Sequence, residues 1–160
     1  MKRNPLTLLA PIVLLIACHH SDDEAVTPKN TVTATIDGKT ANVTEIQATI
    51  DPDNAELLTI VASLDGNHEK LLVVGMPYKT MKEGESVELE YSNFNNAFIM
   101  YTPNHWTDTY AAGSSRNGHG QITVTKNDLK ARKIEGNFNG SLRAAAVALP
   151  CSEGKFSVVY

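Results

Sequence analysis

Residues 133–143 alternate without exception. Ile134, Gly136, Phe138, Gly140 and Leu142 fall on one side of an extended chain, and Lys133, Glu135, Asn137, Asn139, Ser141 and Arg143 on the other. Successive side chains of a strand point to opposite faces, so this period of two predicts a half-buried β-strand with Phe138 inward and Asn137 in solvent. A slip of one residue would exchange the two sets, which makes the register tightly specified. The glycines on the apolar side predict a bend or the close approach of a crossing strand. Shorter runs repeat the theme. Val32, Ala34 and Ile36 alternate with threonines and lead into Asp37-Gly38, a strong hairpin signal because both residues tolerate positive φ. Residues 43–50 read as the return strand, with a period shift near Glu45 that suggests a bulge. Residues 57–64 and 70–76 are apolar on both faces and are separated by Asp65-Gly66-Asn67. Val87 and Leu89, residues 97–102, Ile122 and Val124, and finally Phe156 and Val158 supply the remaining strand patterns. The alanine run in residues 142–149 could hold one helical turn, too short to stand alone. Residues 31–160 are therefore expected to form an all-β domain, a single antiparallel β-sandwich or barrel of about nine strands.

The segment ahead of this domain has a different character. Lys2 and Arg3 precede an almost wholly apolar stretch that closes on Leu15-Ile16-Ala17-Cys18. A basic start, a short apolar run and a small residue at the cut are the parts of a secretory signal. A cysteine directly after Leu-Ile-Ala resembles a bacterial lipobox, in which Cys18 is acylated and becomes the first mature residue. The apolar stretch is too short for a bilayer span, which takes roughly 20 residues. Residues 1–17 read as a lipoprotein signal peptide and residues 18–30 as a lipidated, flexible, polar tether. Losing Lys2 and Arg3 leaves 12 basic against 18 acidic side chains, a net charge of −6. An acidic chain without a basic cluster excludes nucleic acid as a partner. The expected partner is a membrane, reached through lipid on Cys18, and the expected location is the outer membrane.

No enzyme motif is present. Gly113-Ser114-Ser115-Arg116-Asn117-Gly118 misses a nucleophile elbow by one residue. Residues 51–56 read as a turn, since they lack the glycine and the distant glutamate of a calcium loop. Cys151, left unpaired if Cys18 is lipidated, reads as a small buried hydrophobe. No cofactor and no metal site is expected. The one suggestive stretch is residues 103–120, which places Trp106, the only tryptophan, beside His105, Asp108 and Tyr110 and next to a glycine-serine loop. Aromatic faces with polar neighbours suit a glycan or small-molecule site. The even spacing of Trp106 and Tyr110 equally fits two residues packing on one face of a strand, which is the favoured reading.

The order of short motifs is itself informative. A lipobox is followed by Ala34-Thr35-Ile36-Asp37-Gly38-Lys39, then Gly120-Gln121-Ile122-Thr123-Val124-Thr125, Ile134-Glu135-Gly136-Asn137-Phe138-Asn139-Gly140 and Gly154-Lys155-Phe156-Ser157-Val158. This order resembles a family of small Bacteroidota lipoproteins known only as a domain of unknown function. The resemblance covers most of residues 31–160 and implies no catalytic residues. Asp22-Asp23-Glu24 is similar to the acidic signal that sends such lipoproteins to the cell surface. The expectation is a lipid-anchored cell-envelope protein, not an enzyme, with a binding or structural role. The alternative is a lipocalin-like β-barrel carrying a small apolar ligand. Changing Cys18 to Ala should leave an unprocessed or mislocalised precursor. Continued cleavage and lipid-dependent membrane attachment of that variant would refute the lipobox.

Overall fold

The computed structural model describes residues 29–90, 97–104, 108–113 and 117–160; Cys18, the signal segment and most of the tether lie outside them. The described chain is a succession of strands: β1 (Thr31–Ile36), β2 (Lys39–Thr40), β3 (Val43–Ile50), β4 (Leu58–Leu64), β5 (Asn67–Met76), β6 (Ser86–Leu89), β7 (Phe98–Thr102), β8 (Tyr110–Ala112), β9 (His119–Asp128), β10 (Lys133–Ala144) and β11 (Val147–Val159). Nine of them form one curled antiparallel sheet in the order β2-β1-β11-β10-β8-β7-β5-β4-β3. The all-β expectation holds, and the choice between sandwich and barrel resolves to a half-barrel. A fork in β10 gives it this shape. Residues Lys133 to Ser141 pair with β9, which carries β6, while Arg143 pairs with Ala111 of β8 and continues the sheet.

Strand β10 shows the register that its alternation predicts. Ile134, Phe138 and Leu142 are buried and Asn137 is exposed. Asp37 and Gly38 both take positive φ (50° and 73°), as the hairpin signal requires. The strand that returns from this hairpin is the two-residue β2, however, and not residues 43–50. Those residues form β3, which pairs with β4 at the far edge of the sheet. The chain leaves β1 after Ala41, whose N–H donates to Ala34 O, and crosses to Asn42, whose carbonyl accepts from Asp65 N–H. The bulge near Glu45 is real: the pairing shifts between Val43 and Glu45, so that Val43 and then Ile46, Ala48 and Ile50 reach the core. The alanine run contains no helical turn. It is the tip of the β10–β11 hairpin, with Ala145 at φ 50°.

The inner face of the half-barrel is filled by side chains. Leu58, Ile60, Leu72, Ile99, Ile122, Ile134, Phe138 and Leu142 are all less than 2% exposed. Glycine placement makes room for Phe138 and Phe156 on this face, and for the half-buried Phe98 on the other. Phe138 is paired with Gly154 and Phe156 with Gly136 across β10 and β11, and Phe98 with Gly75 across β7 and β5. A Cβ at Gly154, Gly136 or Gly75 would lie 2.4 Å from the facing phenylalanine ring. Each glycine thus accepts an aromatic ring lying across its own backbone. The glycines of the alternating run mark ring contacts and close strand approach, as their apolar-side placement predicts.

Phe138→Ala should lower stability by about 3–5 kcal/mol. Asn137→Ala on the opposite face should change it by less than about 0.5 kcal/mol. Gly154→Ala, whose Cβ would also meet the Phe138 carbonyl oxygen at 2.4 Å, should cost about 1–3 kcal/mol. Chemical denaturation of the three variants checks all of these together, and equal midpoints would refute the packing.

Candidate functional site

The two ends of the half-barrel differ in how they are closed. At the N-terminal pole, Asn30 bonds both ways with the backbone of Val159 (Nδ2 to O 3.3 Å; N–H to Oδ1 2.8 Å). Asn127 Nδ2 donates to the carbonyls of Tyr78 (2.7 Å) and Met81 (2.9 Å), pinning the segment between β5 and β6 over the core. Tyr78 meets Tyr160 edge-on at 4.9 Å, and the Arg132 guanidinium sits 5.5 Å over the Tyr160 ring. That end is sealed.

The opposite end is a mouth. The turns at Asp37-Gly38 and Asp65-Gly66, the tip of the β10–β11 hairpin, and the strand ends at Thr102 and Tyr110 all reach it. They surround a pocket of about 420 Å³ whose lining includes Ile36, Lys39, Asn42, Asp65, Lys70, Tyr101, Pro103, Tyr110 and Leu149. Tyr101 and Tyr110 are directly paired residues of β7 and β8. Each follows the same parity as a buried residue on its own strand (Ile99 and Ala112), so both rings point to the inner face, above the core. The rings lie side by side, with centroids 6.5 Å apart and planes tilted by 34°. They are half-buried and packed against the core from above.

The polar side of the pocket comes from the turns. The Lys70 ammonium donates to the Asp65 carboxylate, which holds Asp65 below the usual carboxylate range and Lys70 above the usual lysine range. The Asn42 side chain lowers Asp65 slightly further, and the Asn42 carbonyl accepts from Asp65 N–H at 2.8 Å. Lys39 and Asp37 are exposed on the facing hairpin. Two cations and two anions balance, and the pocket has no net charge. Among the described residues, no three His, Cys, Asp or Glu side chains cluster closely enough to hold a metal ion.

Of the residues singled out from sequence, His105 and Trp106 lie outside the described residues. Asp108 is exposed, next to Thr109. Tyr110 lines the mouth and also packs on the core, so the site and packing readings of its ring meet in one residue. The buried hydroxyls of Thr102 and Thr109 hydrogen-bond at 3.2 Å and tie together the strand ends between which residues 103–108 run. Sequence reasoning did not find Tyr101, Lys39, Asn42, Asp65 or Lys70 as site residues. The Asp-Gly turns carried their only signal, and nothing local says that two turns so far apart in the chain share one end of a barrel. A second, larger cleft of about 660 Å³ follows the seam between β1 and β3, lined by Lys29 to Thr33, Val43 to Ile46 and Val159. It is formed by strand edges and has no aromatic side chain in its lining, so the mouth is the better candidate despite its smaller volume.

Every described residue except Tyr160 falls within the match to one family model, a domain of unknown function, DUF6252, over residues 29–159. The chain belongs to the DUF6252 family. No curated protein and no solved structure matches it. As the sequence resemblance implies, the DUF6252 assignment comes without an assigned function, and the chemistry must be read from the residues themselves. Cys151 of the DUF6252 domain pairs with Ile36 just below the mouth and is only 2% exposed. Burial pushes its thiol up to about 11, so the nucleophilic thiolate is suppressed. The thiol of the unfolded chain titrates near the ordinary value of 9.0. Between pH 9 and 11 the folded protein therefore holds a proton that the unfolded chain has released, and stability should fall as pH rises through this window. Cys151→Ser should flatten that fall in a denaturation series, and Cys151 should resist alkylation at pH 8 until denaturant is added. Rapid alkylation of the native protein would contradict the burial.

Proposed function

We propose that this DUF6252 protein is a lipid-anchored protein of the cell envelope that binds a small ligand at the mouth of its half-barrel and does no catalysis. The observation that carries the reading is the opposition of the two poles. The chain enters the domain at Lys29 and Asn30, at one pole, and the tyrosine-lined mouth opens at the other. An acyl group on Cys18 would lie 11 residues before Lys29, a reach of at most about 40 Å. The mouth would then face away from the outer membrane, and the acidic run Asp22-Asp23-Glu24 favours display at the cell surface.

Binding fits the mouth better than catalysis. A general acid or base works best with a pKa near the operating pH. Asp65 is instead held low and Lys70 high, each locked in its charged form by the other. The carrier alternative draws little support from the interior, where Phe138, Ile99 and Leu142 occupy the space that an apolar cargo would need.

Fluorophores attached through Lys39→Cys at the mouth and Lys130→Cys at the N-terminal pole test the arrangement. With the full lipidated protein in vesicles that carry a lipid-borne quencher, the label at position 130 should be quenched strongly and the label at position 39 weakly. Equal quenching, or the reverse order, would overturn the orientation.

A further inference from the structure

The mouth combines three properties that narrow the class of ligand, given that it is the binding site proposed above. First, its aromatic surface is a platform and not a slot. Tyr101 and Tyr110 sit side by side on neighbouring strands, with centroids 6.5 Å apart and planes tilted by 34°, and are not stacked face to face. A slot between parallel rings would favour a flat aromatic ligand. A platform favours a puckered ring that is apolar on one side. Second, the filled core begins directly below the pocket with Ile99 and Ala112, both fully buried. A long aliphatic chain has nowhere to descend. Third, the rim supplies both acceptors and donors, and its two cations and two anions cancel. The Asp65 carboxylate accepts from Lys70, and Lys70 retains donors beyond the one it gives to Asp65. An ionised ligand gains no overall attraction here, whereas adjacent hydroxyls that both donate and accept can be matched.

A pyranose ring meets all three conditions. Its axial C–H bonds make one face apolar, and its hydroxyls project around the rim. We propose that the mouth binds one neutral sugar ring of a glycan, laid across Tyr101 and Tyr110 with its hydroxyls shared between Asp65 and Lys70. The tyrosine rings supply apolar contact and Asp65 supplies a two-oxygen acceptor for vicinal hydroxyls. Because both strand positions belong to the paired part of β7 and β8, the platform exists before ligand arrives.

The test uses the full lipidated protein in a sugar-free zwitterionic detergent, since glycosidic detergents would compete. Tyrosine ring resonances are followed by NMR during titration with the methyl glycosides of glucose, galactose, mannose and N-acetylglucosamine. At least one should shift Tyr101 and Tyr110 and leave Tyr78 and Tyr160, at the other pole, unmoved. Tyr101→Ala should weaken that binding about tenfold or more. If this variant loses its fold, Asp65→Asn, an exposed change, should still weaken it several-fold. Either variant binding as the wild type does would overturn the assignment of contacts. With no neutral glycoside shifting Tyr101 and Tyr110, a shift by methyl glucuronoside would overturn the neutral class and a shift by phenol the sugar class, either leaving the mouth a binding site. If none of these probes moves either ring, both the sugar assignment and the reading of the mouth fall.

Discussion

Phe138 lies over Gly154 while Phe156 lies over Gly136, so β10 and β11 exchange two rings through two gaps in their own backbones. The rings stack on one another with centroids 6.5 Å apart and planes within 23°. Both strands are longer than any other in the fold, and their pairing joins β1 on one side to β8 and β9 on the other. A side chain larger than hydrogen at either glycine would force the facing ring and backbone to shift. The same contact fills the centre of the half-barrel, together with Ile134 and Leu142 from β10 and Val158 from β11. A small curled sheet packed in this way has little interior left over, and concave space remains chiefly at its ends and its seam.

The two ends then divide the tasks. At the N-terminal pole, Tyr78, Met81, Asn127 and Tyr160 close the core, and chain entry at Asn30 is tied to Val159. At the mouth, nothing comparable lies across Tyr101 and Tyr110 among the described residues, and the surrounding turns bring polar groups to the edge of an aromatic surface. The Lys70–Asp65 pair holds the positions of two of those groups. Because the pair is exposed, its contribution to stability is small and falls with added salt. Its value lies in orientation.

Much of the fold was legible because local chemistry and global architecture agree. The alternation of residues 133–143 determines which side of β10 is buried, and Asp37-Gly38 and Asp65-Gly66 take the positive φ their residue types allow. The connection after β2 was not legible. A hairpin signal says that the chain reverses, but which strand receives residues 43–50 depends on closure of the whole sheet, where β3 meets β4 and not β1. The hairpin tip at Ala145 was likewise hidden, since an alanine at φ 50° is held there by the flanking β10–β11 ladder and not by its own preference. The site divides in the same way. Tyr110 stood out as an aromatic near a glycine-rich loop. Tyr101 looked like one more strand residue, and Asp65, Lys70 and Lys39 looked like turn polarity, because only the topology makes them neighbours.

These features describe one DUF6252 protein whose packed half-barrel serves as a scaffold for a preformed aromatic and polar mouth. A crystal structure of the full chain grown with the best-bound neutral methyl glycoside tests that account most directly. It predicts a sugar ring seated over Tyr101 and Tyr110, within hydrogen-bonding distance of Asp65, with the tyrosine platform unchanged from the free protein. Sugar bound instead along the β1–β3 seam, or a mouth closed by collapse of the two tyrosine rings onto the Asp37 hairpin, would contradict it.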